Sequence, residues 1–180
     1  GWVGLGLARK NLGDLSGSRD AFDRALALEP GHGAALFGRY LALPIIHETE
    51  AATEEARAGF AEGLEKVRSE LDLDSPEGRA GALEGCLSMT NFSLHYQGYD
   101  DLSLQRIHGA LLQTIVGASF PGHTAPKTSR SVAGRIKIGF ISANFHWHSI
   151  FKTHGGFITH LNRQAFEITT IHLGVKVDDA

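Results

Sequence analysis

The stretch Arg135–Gly156, RIKIGFISANFHWHSIFKTHGG, runs from a β-branched apolar segment straight into three histidines, a lysine and two glycines. Its first part, RIKIGFIS (135–142), has the short, isoleucine-rich texture of a strand. GGFITHLNRQ (155–164) reads as a helix, and FEITTIHLG (166–174) alternates as a second strand. Strand, loop, helix and strand within about forty residues form the opening unit of an α/β domain with a parallel sheet. Ligands in such folds bind beyond the carboxyl ends of the strands. Residues 142–156, SANFHWHSIFKTHGG, are therefore expected at a functional rim.

Three readings compete for this loop. His146, His148 and His154 supply three nitrogens for a metal, but there is no cysteine nearby and no carboxylate between Asn144 and Gly156. Packing histidines, hydrogen-bonded to backbone, are the ordinary alternative. It is the one adopted for His32, His47, His95, His108, His123, His160 and His172. The third reading is a strand-end pocket in which a histidine serves as general base or contacts a substrate hydroxyl. Lys152 would then neutralise a phosphate, and Gly155–Gly156 would open a helix with free N–H groups as an anion cradle. GRIKIG lacks the G-x-G-x-x-G fingerprint of dinucleotide binders.

Outward from this loop the chain is helical. GWVGLGLARKNLGDLSGSRDAFDRALALEP (1–30) carries Trp2, Leu5, Gly6, Gly13, Ser18, Phe22, Ala25 and Pro30. A 34-residue tetratricopeptide repeat places its Trp, Leu, Gly, turn Gly, small residue, Phe, Ala and Pro at these positions. Small side chains at Gly6 and Ser18 admit close helix approach, with Trp2, Leu5, Phe22 and Leu26 expected to fill between the helices. A second repeat in the same frame puts Tyr40 where the packing glycine belongs. The chain instead continues as one long helix, with Ala52, Ala56, Phe60, Leu64, Val67 and Leu71 along a single stripe. Residues 1–71 thus read as the end of a repeat array, where terminal units are atypical.

Residues 72–118 form a helical connector. Ser75 is its N-cap, with Pro76 and Glu77 in the first turn. A later helix has Leu104, Ile107, Leu111 and Ile115 on one face, and NFSLHYQG (91–98) ends in a glycine stop between the two. Residues 119–133, SFPGHTAPKTSRSVA, read as a linker, and 134–180 as the start of the α/β domain.

Composition bounds the function. With 42% apolar and 21% charged residues, the chain has a globular balance. A net charge of −3 offers nothing to nucleic acid or an anionic membrane. No apolar run approaches the roughly 20 residues that cross a bilayer. One cysteine, Cys86, forms no intrachain disulfide and suits a cytoplasmic setting. Beginning at Gly1 inside a periodic pattern, the chain reads as a piece of a longer protein.

Taken in order, the repeat end, LALPIIHETEAATEEARAGFAEGL, NFSLHYQGYDDLSLQRIHGALL, RIKIGFISANFHWHS and FEITTIHLG resemble bacterial members of the O-GlcNAc transferase/SPINDLY-like group, glycosyltransferase family 41. The resemblance implies an inverting transfer from a UDP-sugar, GlcNAc above all, to Ser or Thr of a protein or peptide acceptor. It implies a two-lobed GT-B fold, with 134–180 opening the first lobe, and no metal or other cofactor. By the strand–S-x-x-F-x-x-H pattern, Ser142 to His148, it implies that His148 lies in the active site as base or substrate contact. Lys152 and His154 remain candidates for the substrate pocket that the pattern itself does not carry. Two positions depart: Asn144 replaces a frequent Asp, and Gly4 replaces the Asn that binds substrate backbone in better-known relatives. The family's uracil- and diphosphate-holding residues lie in a second lobe, so these 180 residues alone are expected to be inactive. A non-enzymatic tetratricopeptide scaffold and a hexosyltransferase acting on Asn are the competing readings.

Overall fold

The structure, a computed structural model, describes residues 1–124 and 134–174. The chain divides into two compact units, Gly1–Pro126 and Lys127–Ala180. The segment 125–133 of the expected linker and the end of the α/β segment, 175–180, lie outside the described residues. Among the described residues no helix is long and apolar enough to cross a membrane.

The first unit is helical. Helices α1 (Trp2–Asn11) and α2 (Leu15–Leu28) fold back on each other through a tight turn in which Gly13 has φ 87°. Asp14 caps α2 by accepting the Gly17 N–H at 2.8 Å. The Ser18 hydroxyl donates to the Gly6 carbonyl at 2.8 Å, so the two small residues meet as the sequence implies. A Cβ on Gly6 would lie 2.7 Å from the Phe22 ring, and one on Gly38 would also overlap it. Phe22, fully buried, is gripped between two glycines on α1 and α3 (Gly33–Leu41).

α3 presents Gly38 to the Phe22 ring, two residues before Tyr40. One expectation is corrected. Trp2 and Leu5 do not fill between the helices: they are 37% and 38% exposed. Trp2 lies beneath the Arg24 guanidinium, 4.8 Å from its ring centre, and covers a cation rather than the core.

Helix α4 (Glu50–Glu70) starts at Thr49, whose hydroxyl accepts the Ala52 N–H at 3.1 Å. Phe60, Leu64 and Val67 of the expected stripe enter the core, while Ala52, Ala56 and Leu71 are half-buried. Helix α5 (Pro76–Ser88) is capped by Ser75, which accepts from Gly78 N–H at 2.9 Å. Helix α3 packs most extensively on α5, not on its sequence neighbour. The approach is at backbone range: a Cβ on Gly33 would overlap the Gly81 carbonyl, and Phe37 occupies the space beside Gly85. Gly81 and Gly85, one turn apart, make this possible.

A short 3₁₀ segment (Phe92–Tyr96) is followed by Gly98, φ 75°, and the chain then enters α6 (Leu102–Ser119). Arg57 of α4 fastens this connection by donating to Gln97 Oε1 (2.9 Å), Asp101 Oδ1 (2.7 Å) and the Asp100 carbonyl (2.9 Å). Leu104, Leu111 and Ile115 face the core, and Ile107 does not. Position 119 does not open an irregular loop: α6 runs through it, and Pro121–Thr124 forms a further helical turn, α7. Proline at a first helical position costs no hydrogen bond, which explains the continuation.

The second unit is a parallel β-α-β. Strand β1 (Ile136–Ser142) pairs with β2 (Phe166–His172) in register from Ile136↔Phe166 to Ser142↔His172. Helix α8 (Ser149–His160) connects them.

Gly33→Ala is expected to lower stability by about 3 kcal/mol, since backbone on backbone cannot yield. Gly59→Ala, in α4 with open space around the new Cβ, is expected to add about 0.5–1 kcal/mol. Urea titrations followed by circular dichroism check both. His108 provides a pH test. Burial holds its pKa below the ordinary 6.5, and its Nδ1 lies 3.1 Å from the Asn91 amide. A depressed folded value means the unfolded chain takes the proton first. His108's contribution is therefore full above pH 6.5 and is lost as pH falls through the folded value. His108→Gln should flatten the denaturation midpoint against pH in that acid range.

Candidate functional site

The carboxyl ends of both strands converge on the loop 143–148. Ser142 starts the loop: its hydroxyl accepts the Asn144 N–H at 3.0 Å, a local turn that leads the chain off the sheet. Its carbonyl accepts the Leu173 N–H at 3.1 Å, which joins the loop to the chain leaving β2. The Phe145 and His172 rings sit 6.2 Å apart across the same edge.

His148 ends the loop and begins α8. Its backbone is extended, and its Nδ1 accepts the Ile150 N–H at 3.2 Å, so the imidazole is the helix N-cap. A neutral ring that accepts at Nδ1 carries its proton on Nε2. The outward nitrogen of His148 is therefore a donor while the cap holds, and exposing a basic lone pair requires release of Ile150.

Lys152 comes one turn later, with its backbone N–H donating to the His148 carbonyl at 3.0 Å. Its ammonium stands 3.9 Å from the centre of the Trp147 ring, which is itself 83% exposed. His146 and His148 rings meet edge-on at 5.7 Å. The first turn of α8 thus gathers His148 and Lys152, with Trp147 alongside. His154 is not with them: two residues of helix turn it about 200° from Lys152. Its Nδ1 is within reach of Thr153 Oγ1 (2.7 Å) and the Ile150 carbonyl (3.3 Å).

The expected anion cradle at Gly155–Gly156 is overturned. Both glycines lie in the middle of α8, where backbone N–H groups serve the helix, and the helix starts six residues earlier than GGFITHLNRQ suggests. Gly155 is buried, and its missing side chain leaves room for the Phe151 ring on the same helix. The helix also ends earlier, at His160, because Asn162 forms a turn: its side chain accepts from Gln164 N–H and its carbonyl from Ala165 and Phe166. The helix-start amides available to a ligand are those of Ser149 and Phe151.

His172, for which the sequence suggests an ordinary packing role, ends β2 directly opposite Ser142. Counting two strands of equal length from their first apolar residues would have placed it there. Among the described residues no three His, Cys, Asp or Glu side chains come together to hold a metal ion.

Compared with family models, curated proteins and solved structures, the chain matches none. The local chemistry is itself testable. His148→Ala should raise amide exchange at Ile150 about fivefold, the ~1 kcal/mol of a lost cap, while His148→Asn should leave it near the parent rate. Site-resolved exchange by NMR reads the difference.

Proposed function

We propose that this chain works within a protein glycosyltransferase that moves a sugar, GlcNAc in the favoured reading, from a UDP-sugar to Ser or Thr of a cytoplasmic protein acceptor, with inversion. The observation supporting it is that the first turn of the helix after β1 carries His148 and Lys152, joined by a backbone hydrogen bond, at the carboxyl edge of a parallel sheet. In this reading the β-α-β unit opens the first lobe of a GT-B fold, and the helical unit is the end of a tetratricopeptide array that brings the acceptor near.

The roles derive from the groups. His148 in its capped state offers Nε2–H to a substrate oxygen, which suits a substrate contact. Acting as base toward the acceptor hydroxyl, it would first give up the Ile150 amide. Lys152 leaves the Trp147 face to meet a diphosphate oxygen, gaining a charge-assisted hydrogen bond in place of a cation–π contact. Ser149 and Phe151 N–H groups offer the same anion the partial positive charge of a helix start. In this reading His154, on another side of α8, stays outside the His148 contact.

The test uses the natural-length protein with UDP-[³H]GlcNAc and a protein extract from its host. Label is expected on Ser or Thr. His148→Ala should lower turnover by about 100-fold or more if the ring transfers the proton. Lys152→Ala should raise the donor KM about tenfold, the effect of one lost charge-assisted contact. Label on Asn from UDP-glucose would favour the hexosyltransferase reading. No transfer from either donor overturns the proposal.

A further inference from the structure

Helices α4 and α6 pack side by side through Leu64 and Leu111, both buried. Above that contact they leave an open groove of about 310 Å³. Leu64 and Leu111 form its floor, Ile107 stands on its flank at 39% exposure, and one arginine from each helix, Arg68 and Arg106, lines it. Among the described residues neither arginine has a carboxylate within ion-pairing distance, so both guanidiniums can meet carboxylates brought by a ligand.

We propose that this groove docks an acidic amphipathic helix of a partner protein. Ile107, Leu111 and Thr114 recur at four- and three-residue steps, so α6 presents a side about two turns long. A partner helix of similar length would set a leucine-sized side chain over Leu64 and Leu111, the helix-in-groove mode of recognition. Two guanidiniums on separate helices call for two carboxylates, one on each flank of the partner's apolar stripe. A guanidinium fork suits a carboxylate bidentately, and arginine is enriched among residues that dominate interfaces. A single-headed alkyl carboxylate satisfies only one of the pair. Glu65, also on the rim, sets the orientation by repelling an acid at its own corner.

The probe is a fluorescein-labelled 14-residue helical peptide of Leu and Glu, paired with a Lys-for-Glu counterpart and titrated against the full chain by anisotropy. The Glu peptide is expected to bind and the Lys peptide not. The double charge reversal Arg68→Glu with Arg106→Glu should weaken the Glu peptide about tenfold or more and confer binding of the Lys peptide. Ala110→Trp, at an exposed position of the groove, should block the Glu peptide with the thermal midpoint unchanged. Absence of Glu-peptide binding, equal binding of both peptides, or indifference to the charge reversal overturns the proposal. So does tighter binding of sodium decanoate than of the Glu peptide, which would assign the groove to a lipid anion.

Discussion

The first unit is built around one place where two backbones meet without side chains between them. Gly33 at the start of α3 and Gly81 on α5 pack so closely that a methyl group on either has nowhere to go. Nearness there sets the position of α3, and α3 in turn carries Phe37 into the main core and Gly38 against the Phe22 ring. Phe22 is held on its other side by Gly6, so glycines on three helices fix two aromatic rings. Close packing of this sort rewards fit rather than bulk, since dispersion falls steeply with small gaps. The Arg57 clasp adds direction: three hydrogen bonds tie α4 to the residues that start α6.

The second unit obeys a different logic. Its two strands are matched residue for residue, which brings both carboxyl ends to one edge and sets the loop 143–148 beside His172. A capping choice decides which side chains gather at that edge. His148, not the glycine pair, starts the helix, and this puts Lys152 one turn above the imidazole and leaves His154 facing elsewhere.

The features legible in the sequence are local ones. The Ser75 cap, the turn at Gly13 and the stop at Gly98 are set by a few adjacent residues, and each is found where the pattern puts it. The alternation expected for FEITTIHLG is not found: the first three residues of β2 are half-buried and the last four exposed, because the strand has one neighbour and its end runs out into solvent. The α3–α5 contact is not legible, because Gly33 and Gly81 are far apart in sequence and neither alone marks an interface. Gly81 and Gly85, spaced one turn apart, are the available signal. The start of α8 is misplaced by sequence reading for a physical reason: a glycine pair resembles a helix boundary, yet Gly155 is there to admit the Phe151 ring. The helical turn at Pro121 escapes likewise, since proline closes most helices but is at ease opening one. That Lys152 follows the capping His148 by one turn emerges only once the true helix start fixes the phase of its residues.

The imidazole that closes the loop is also a latch. One lone pair at Nδ1 secures the Ile150 amide, and the carbonyl of the same residue secures the amide of Lys152. One residue thus supplies two acceptors to the helix start, one on its ring and one on its backbone. Swinging the ring away releases the Ile150 amide and weakens the helix start by the cap's contribution, while the backbone bond to Lys152 remains. Chemistry at this edge would then be paced by fraying of the helix end, with reactivity and local order drawing on the same pair of electrons.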